Sequence, residues 1–300
     1  MGLKLKSQQK DSSTFKKTKN IIMDNNYTKR HKATVLSIAG SDSGGGAGIQ
    51  ADIKAISACG AYAATAITAL TIQNTIGVKD VFSFPTNILQ GQIEAVLEDI
   101  GADAVKVGML HNEQVVELVR TMVDKYDIKN LVVDPVMVST SGHKLIEDKA
   151  IETLKKRLLT RARVITPNIP EAEIILNKHI SSQEQLPILA KELSEICSGE
   201  YKVSVLLKAG HLSDNKLIDI FYNAESNETL ELESRRLYTV NTHGTGCTLS
   251  SAFAAFLAKG YSLNDSANKA KEYITKAIES GSKYTIGKGN GPVDHFFMIQ

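Results

Sequence analysis

From residue 33 onward, short apolar runs alternate with amphipathic segments that have helical periodicity. Short apolar runs bounded by turn residues are typical of buried strands, whereas apolar residues three and four apart are typical of helices. Strands are predicted at 33–39, 62–73, 104–107, 130–133, 163–166, 202–208, 216–223 and 229–232, the last two as an edge hairpin. Helices are predicted at 47–59, 86–100, 113–126, 147–159, 170–176, 183–198, 246–259 and 263–280. This alternation predicts an α/β fold with a largely parallel sheet.

Loops rich in glycine and polar residues follow several of the predicted strands. These loops are 40–46 (GSDSGGG), 108–109 (GM), 134–137 (DPVM), 166–168 (TPN) and 208–211 (KAGH). In an open α/β sheet, ligands bind in the crevice beyond the carboxyl ends of the strands. The loops are therefore the expected walls of a ligand site.

The segment 241–247 (NTHGTGC) leads directly into a run of small residues, 248–258, with the pattern of a helix packed closely on a sheet. The amides of a glycine-rich turn and the positive end of a helix dipole form an anion-binding concavity suited to a phosphoryl group. Cys247 falls at the helix N-terminus, where a thiol ionises most readily. A plain glycine-rich turn with a buried cysteine explains these seven residues equally well. The segment is neither a P-loop nor a Rossmann fingerprint.

The N-terminal residues 1–32 differ from the rest of the chain. They lack apolar periodicity and are rich in Lys, Ser, Asn and Gln, so they are predicted to be a disordered or leader-like extension before one domain, 33–300. Nine basic and two acidic residues fall in 1–33, which leaves 26 basic and 31 acidic residues in a chain of net charge +2. The predicted domain is mildly acidic, which argues against nucleic acid as a partner.

Composition narrows the class of protein further. A hydrophobic fraction of 42% is enough for a large core. The three cysteines, Cys59, Cys197 and Cys247, have neither disulfide nor zinc-ligand spacing, so a reducing, cytoplasmic setting is expected. No run of about 18 apolar residues is present, so no membrane span is expected.

Six motifs occur in a fixed order along the chain. They are 38–52 (IAGSDSGGGAGIQAD), 68–75 (TALTIQNT), 108–110 (GML), 134–137 (DPVM), 166–172 (TPNIPEA) and 241–247 (NTHGTGC). Together they resemble the hydroxymethylpyrimidine and phosphomethylpyrimidine kinases of thiamine biosynthesis, in the ribokinase-like superfamily. The resemblance runs from about Ala33 to the segment 287–296. It implies a three-layer α/β/α ribokinase-like fold, ATP and Mg²⁺, a small pyrimidine substrate phosphorylated twice in one site, and a homodimer.

The resemblance implies catalytic roles for the glycine-rich segment. The amides of Gly244, Thr245, Gly246 and Cys247 would hold the migrating phosphoryl group. Most ribokinase-like enzymes have an aspartate as base at the last of these positions, whereas this chain has Cys247, as the pyrimidine kinase branch does. Its thiolate would accept the proton of the substrate's hydroxymethyl group. Only the first phosphorylation needs a base, since the acceptor of the second is an ionised phosphate.

The resemblance also places nucleotide and metal ligands on the strand-end loops. Asn168 and Glu171 form an Asn-x-x-Glu motif whose carboxylate helps to hold Mg²⁺, and Asp134 is a second carboxylate near the metal and phosphates. Further contacts to the nucleotide are assigned to Lys208, Thr242 and Lys288. The polar stretch 139–144 (STSGHK) suits a mobile lid over the phosphates. Without the family, Glu171 is an acid in a first helical turn, Asp134 a solvated strand end, and 287–289 a solvated turn.

Substrate recognition is expected at the first loop and the second strand. An aminopyrimidine presents a ring nitrogen, an exocyclic amine and a flat apolar face. By resemblance, Asp52 accepts from the amine, and Gln73 both donates and accepts. The walls of this end are expected to include Gly40, Ala47, Thr71 and Met109. Asp52 could equally be a solvated acid on the first helix, and Gln73 a polar group of an edge strand.

Two alternative functions stay open from the sequence. The first is a pyridoxine or pyridoxal kinase of vitamin B6 salvage, since that enzyme occurs on the same scaffold. Gln73 and the absence of a cysteine from 138–145 favour the pyrimidine over pyridoxal. The second is a ligand-binding protein that has lost catalysis. The residues that argue against it are Gly244, Gly246, Cys247 and Glu171.

Overall fold

A computed structural model of the protein describes residues 31–138, 142 and 145–299. In this part of the chain nine strands form a single sheet. The strands are β1 (Thr34–Asp42), β2 (Tyr62–Gln73), β3 (Val78–Ser83), β4 (Ala104–Val107), β5 (Leu131–Val133), β6 (Val164–Ile165), β7 (Ser204–Leu207), β8 (Lys216–Asn223) and β9 (Glu228–Arg235). The helices are α1 (Gly48–Ala58), α2 (Thr86–Asp99), α3 (Glu113–Lys125), α4 (Asp148–Thr153), α5 (Ile169–Leu176), α6 (Leu186–Cys197), α7 (Thr245–Ala258) and α8 (Leu263–Gly281).

The sheet is parallel in its centre and antiparallel at both edges. Its strand order is β3-β2-β1-β4-β5-β6-β7-β8-β9. Every pairing from β2 to β7 is parallel, whereas β3 pairs antiparallel with β2, and β8 and β9 extend the other edge antiparallel. All residues of β1 are buried between β2 and β4. Such burial on both faces explains why the central strands are short apolar runs without alternation.

Each face of the sheet carries its own hydrophobic core. On one face α2 to α6 bury a cluster that includes Leu89, Val119 and Leu186. On the other face α1, α7 and α8 bury a second cluster, which includes Ile56 and Phe253. The described part of the chain therefore has three layers, helices, sheet and helices, and the predicted α/β/α ribokinase-like fold is confirmed.

The sequence pattern missed one strand and simplified two helices. β3 was not predicted because it is an edge strand with charged Lys79 and Asp80 in its middle and only Val78 buried. The predicted helix 147–159 is α4 followed by a π turn at Leu154–Leu158 and a 3₁₀ turn. The helix predicted at 183–198 begins as a 3₁₀ turn before α6. The other predicted elements are present with small shifts of their ends.

Two sequence predictions lie outside the described residues. They are the N-terminal extension, up to residue 30, and the lid at 139–144 apart from Gly142. None of the helices in the described ranges is both long enough and apolar enough to cross a bilayer.

Candidate active site

The carboxyl ends of the parallel strands open into one cavity of about 640 Å³. The loop after β1, the end of β2, the loops after β4 to β7 and the first turn of α7 surround it. Its volume lies in the range of pockets that enclose small-molecule ligands. The predicted site residues in its wall are Gly40, Ala47, Thr71, Gln73, Met109, Asp134, Asn168, Glu171, Lys208, Thr242, Gly244, Thr245, Gly246 and Cys247. One cavity thus brings together residues that were assigned to substrate, nucleotide, metal and catalysis.

The glycine-rich segment turns sharply into α7 at the cavity floor. Gly244 has φ +79°, a left-handed conformation that favours glycine, and a Cβ on it would overlap the carbonyl oxygen of Gly46. The Thr245 amide donates to the Thr242 carbonyl at 3.3 Å. The amides of Gly246 and Cys247 belong to the first helical turn, where the helix supplies no acceptor. This first turn is therefore suited to an anionic group in the cavity.

An ion pair lies beside this first turn. Oδ1 of Asp134, just after β5, accepts from Lys208 Nζ at 2.9 Å and from Thr166 Oγ1 at 2.9 Å. Burial disfavours the charge on Asp134, but Lys208 and Lys106 hold its pKa below the ordinary value. A Cβ on Gly246 would lie 3.3 Å from Lys208 Nζ and 3.5 Å from Asp134 Oδ2. The ammonium of Lys208 thus stands directly next to the turn that is suited to a phosphoryl group.

Asn168 and Glu171 cap α5 and line the same wall. Asn168 accepts from the Glu171 amide at 2.9 Å, and the Glu171 carboxylate accepts from the Asn168 amide at 2.8 Å. Burial raises the pKa of Glu171 to about 7, Lys208 opposes this rise, and the charge of Asp134 adds to it. Glu171 therefore faces the cavity with its charge incompletely compensated.

The donor set at this wall fits a magnesium ion that is held partly by phosphate. Among the described residues no group of three or more His, Cys, Asp or Glu side chains could hold a metal alone. Mg²⁺ commonly uses one or two carboxylates together with substrate phosphates and water. Asp134 and Glu171 are two such carboxylates, and a cation between them would relieve the repulsion by Asp134 that adds to the burial-driven rise in the Glu171 pKa.

Asp42 organises the glycine-rich loop at the other end of the cavity. Its carboxylate accepts from the amides of Gly44 at 2.8 Å, Gly46 at 3.0 Å and Ala47 at 2.8 Å. Oδ2 of Asp42 also lies 2.8 Å from His243 Nε2. This single side chain therefore joins the loop after β1 to the segment before α7, about 200 residues later in the chain.

Gln73 presents an amide at the same end. Thr71 Oγ1 lies 3.0 Å from Gln73 Oε1 and 2.8 Å from the Ser41 carbonyl, and Gln73 Nε2 lies 3.4 Å from His243 Nε2. The apolar wall comes from Met109, whose sulfur would lie 3.1 Å from a Cβ on Gly40. The result is a fixed amide beside an apolar surface, an arrangement suited to a small polar heterocycle.

Comparison with known proteins identifies this arrangement. The family model described as phosphomethylpyrimidine kinase matches residues 42–294. The chain belongs to the phosphomethylpyrimidine kinase family. It is 43% identical over 265 residues to the hydroxymethylpyrimidine/phosphomethylpyrimidine kinase of Rhizobium meliloti, a match that covers 88% of this chain and 97% of that protein.

The chain is also similar to a bifunctional protein and to a solved pyridoxal kinase. The chain is 40% identical over 269 residues to the thiamine biosynthesis bifunctional protein ThiED of Geobacter sulfurreducens. That match covers 90% of this chain and 53% of the relative, so the chain spans about half of that protein's length. The solved structure of a Bacillus subtilis pyridoxal kinase in an ADP complex superposes with TM-score 0.80 at 33% identity, covering 90% of this chain and 99% of that one.

The structure does not bring Asp52, which was predicted to accept from the substrate's amine, into the cavity wall. Asp52 is fully buried on α1, outside the cavity wall, and its carboxylate accepts from Lys106 Nζ at 2.8 and 2.9 Å. Ser37 and Ser251 hydroxyls donate to it at 2.6 and 2.7 Å. Four hydrogen bonds occupy the lone pairs of the carboxylate, so an exocyclic amine in the cavity has no access to it.

Lys288 is not brought to the cavity with the other predicted nucleotide contacts. Its side chain is exposed, and it is absent from the cavity wall. The amides of Lys288 and Gly289 both lie 3.2 Å from Thr75 Oγ1, in the turn between β2 and β3. In this family member the segment therefore anchors the β2–β3 turn.

Cys247 lies at the cavity floor as predicted, but its thiol is not readily ionised. Burial raises its pKa to about 11, Lys106 opposes the rise, and the carboxylates of Asp52 and Asp134 add to it. The amide of Gly48 also favours the thiolate. This direction is opposite to the one expected from the helix N-terminus alone, because desolvation disfavours the thiolate.

Sequence reasoning missed two site features of this phosphomethylpyrimidine kinase family member. The Asp42–His243 contact joins residues from two motifs whose proximity no local pattern shows. Lys106 is fully buried in β4, yet it reaches the cavity wall. A signal for Lys106 does exist, since a lysine inside the apolar run 104–107 (AVKV) needs a buried partner.

Glu171→Gln is expected to stabilise the protein above pH 7 in EDTA and to change its stability much less near pH 5. The folded pKa of about 7 exceeds the ordinary 4.5, so ionisation of Glu171 costs stability as the pH rises from 4.5 through 7. Glutamine keeps the capping acceptor and carries no ionisable proton, so the gain at pH 8 is expected to be about 3 kcal/mol. Thermal unfolding from pH 5 to 8 measures it.

The exposed Glu195 on α6 provides the matched control for this measurement. Glu195→Gln removes the same charge from a solvated position, so its unfolding curve should follow that of the unmodified protein at every pH. A Glu171→Gln variant whose stability difference does not change with pH would contradict the prediction.

Proposed function

We propose that the chain transfers the γ-phosphoryl group of ATP to 4-amino-5-hydroxymethyl-2-methylpyrimidine and then phosphorylates the monophosphate to the diphosphate. One observation carries this proposal. A single cavity joins the amide of Gln73, at the acceptor end, to the first turn of α7 with Cys247 at its floor. The family and the name of the Rhizobium meliloti relative support the same reaction.

The acceptor end binds the heterocycle by its edge and its face. The Gln73 amide can donate one hydrogen bond and accept another, which matches a ring nitrogen beside an exocyclic amine. Thr71 and His243 hold that amide in place. Met109 and Gly40 supply the flat apolar surface for the ring. This binding directs the hydroxymethyl group toward Cys247.

In the first transfer, the hydroxymethyl oxygen bonds to the γ-phosphorus while the bond from this phosphorus to the ADP oxygen breaks. The hydroxyl proton moves to the Cys247 thiolate, and the resulting thiol later releases it to solvent. The amides of Gly246 and Cys247 hold the oxygens of the migrating group. In the second transfer the acceptor is the phosphate of the monophosphate, which is already ionised, so no proton has to move to Cys247.

The donor end holds the triphosphate. Lys208 places its ammonium next to the first turn of α7, where the γ-phosphoryl group is transferred. Asp134 keeps Lys208 in place through the 2.9 Å ion pair. Asp134 and Glu171 would hold Mg²⁺ against the phosphates, where the ion would neutralise developing charge. Asn168 and Thr242 complete this wall of the cavity.

Pyridoxal is the alternative acceptor, because the Bacillus subtilis pyridoxal kinase has the same fold. The deciding experiment incubates the protein with Mg-ATP and either the hydroxymethylpyrimidine or pyridoxal, and follows products by mass spectrometry. Successive appearance of the pyrimidine monophosphate and diphosphate supports the proposal. Turnover of pyridoxal alone moves the assignment to vitamin B6 salvage. Failure of both acceptors contradicts a kinase function for this cavity.

We also propose a homodimer that forms through the outer edge of the sheet. Leu70, Ile72, Ile76 and Phe82 are exposed on β2, β3 and their connecting turn, with Phe82 64% exposed. Such a cluster of exposed apolar side chains is typical of a protein interface. Phe82→Glu is expected to convert the dimer to a monomer in sedimentation velocity. Ile188→Glu, on the exposed face of α6, is the control and should leave the dimer intact.

The proposed setting is the cytoplasm. All three cysteines of the chain are free, and two of them, Cys59 and Cys197, are buried. Free thiols suit a reducing compartment, as does a reaction that uses ATP.

A further inference from the structure

A buried charge network lies directly beneath the cavity floor. Ser37 on β1 and Lys106 on β4 are register partners in adjacent parallel strands, so both side chains point to the sheet face that α1 and α7 cover. Asp52 on α1 and Ser251 on α7 meet them there, and all four residues are fully buried. The Asp52 carboxylate receives every hydrogen bond of the network, two from Lys106 and one from each serine.

The two helices place this network one turn behind the reacting end of the cavity. Cys247 and Ser251 are four residues apart on α7, and Gly48 and Asp52 are four residues apart on α1, so each pair shares a helix face. At the first level, next to the cavity, the Gly48 amide forms a hydrogen bond that favours the Cys247 thiolate. The Asp52–Ser251 hydrogen bond of 2.7 Å joins the helices at the second level. Lys106 contacts Asp52 at this second level and also lines the cavity wall.

A buried ion pair is a costly way to fill this space. Two desolvated charges of opposite sign are commonly no more stabilising than apolar residues of the same volume. Here the ammonium end reaches the cavity, and the carboxylate end is enclosed by the two serines. Lys106 and Cys247 both line the cavity, whereas Asp52 does not, so the positive end of the pair is the end that shares the cavity wall with the thiol. The pair is therefore oriented so that its positive charge lies at the cavity wall, and packing alone does not explain this orientation.

We propose that Lys106, fixed by Asp52, Ser37 and Ser251, is a positioning residue that keeps a permanent positive charge beside Cys247 during phosphoryl transfer. The expected effect on turnover rests on the proposed function, whereas the expected effect on the ionisation of the Cys247 thiol does not. Burial opposes the charge of Lys106, but Asp52, Cys247 and Asp134 raise its pKa above the ordinary value, so it stays protonated at every working pH.

Other charged groups also face Cys247 and must stay unchanged in any test. Asp134 after β5 and Lys208 after β7 interact with it electrostatically. Asp42 at the end of β1 and His243 before α7 line the same cavity. Because the proposal concerns only the Asp52–Lys106 pair, the variant must remove both of its charges and none of these.

The test measures alkylation of Cys247 by iodoacetamide as a function of pH, in the full chain and without substrate. Peptide mass spectrometry separates Cys247 from Cys59 and Cys197, whose burial raises their pKa to about 12. In the double variant Asp52→Asn/Lys106→Met, alkylation at pH 8 is expected to fall about tenfold, since one pKa unit changes the thiolate fraction tenfold. The first phosphorylation should slow at least as much, with its pH profile moved upward, and the second should slow much less.

A second buried ion pair provides the matched control. Asp219→Asn/Lys271→Met removes a pair with a 2.7 Å separation that also lines the cavity, at α8. It should leave the alkylation of Cys247 unchanged. Equal alkylation of the Asp52→Asn/Lys106→Met variant and the unmodified protein would overturn the proposal, and so would equal slowing of both phosphorylations.

Ser251→Ala decides the case if the double variant does not fold. It keeps both charges and removes one of the four hydrogen bonds to Asp52. Alkylation that slows about threefold or more at pH 8 supports the proposal, and an unchanged rate overturns it. Because alkylation requires no substrate, a protein that phosphorylates neither acceptor but shows these rates would fail the proposed function and still satisfy this inference.

Discussion

Cys247→Ala is expected to slow the first phosphorylation by about 10²- to 10⁴-fold and to leave the second within about threefold of the unmodified rate. The reason is that only the first acceptor, a hydroxymethyl group, has to lose a proton. Alanine removes the sulfur at the cavity floor and keeps the backbone amide at position 247, which holds the migrating group in both reactions. Single-turnover measurements with each acceptor, at saturating Mg-ATP, separate the two rates.

The pH dependence of the two reactions gives an independent check on the same role. With the pKa of Cys247 raised to about 11, the thiolate fraction rises tenfold for each pH unit below that value. The kcat/KM of the first phosphorylation should therefore rise with pH, and Cys247→Ala should abolish this rise. The kcat/KM of the second phosphorylation should not depend on the ionisation of the Cys247 thiol. Parallel pH profiles for the two reactions, or equal losses of both in Cys247→Ala, would show that Cys247 acts by packing.

Gly244→Ala is expected to abolish both phosphorylations and to destabilise the fold by about 3 kcal/mol or more. Two costs combine at this position. The backbone has φ +79°, and the added methyl group would overlap the carbonyl of Gly46 in the loop after β1. The overlap displaces either that loop or the first turn of α7, so both the acceptor end and the phosphoryl end lose their geometry. Chemical denaturation and steady-state assays with both acceptors measure the two effects.

Gly260→Ala separates the two costs. Gly260 has φ +85°, and nothing in the described part of the chain lies within 4 Å of the place that an added methyl group would occupy, so the substitution carries only the backbone strain. It is expected to cost about 1 kcal/mol and to leave turnover unchanged. If Gly244→Ala were no more destabilising than Gly260→Ala, the close contact with Gly46 would have no energetic weight.

Local patterns were sufficient where neighbours in sequence are also neighbours in space. The turn at Gly244 and the start of α7 follow from seven consecutive residues, and the strand-end loops follow from the alternation of apolar and amphipathic segments. The parallel centre of the sheet follows from the same alternation. The sequence pattern did not predict β3, because an exposed edge strand needs no apolar run and requires only a partner strand for its hydrogen bonds.

Asp52 lies outside the cavity wall and the pKa of Cys247 is raised, both contrary to expectation, and the two differences have a common physical cause. The sequence shows Asp52 four residues into a helix, where an acid is ordinarily solvated, but Lys106 arrives from β4, 54 residues away, and encloses it. Cys247 has the local features of an activated thiol, but desolvation at the cavity floor raises its pKa. Both outcomes depend on long-range packing, which outweighs local propensity whenever a polar group leaves solvent.

The contact between Gly46 and Gly244 also limits how the acceptor range of this scaffold can change. The carbonyl of one residue fills the space that a side chain on the other would need, so the first loop cannot lengthen or bulge without moving the start of α7. A new acceptor preference is therefore expected to arise more readily on the neighbouring strand β2. On β2, Thr71 and Gln73 line the cavity and hydrogen-bond to each other, and the loop after β1 supports them through the Ser41 carbonyl and the Ser43 hydroxyl. A mutant library for altered acceptors belongs at these two positions, with the loop left intact.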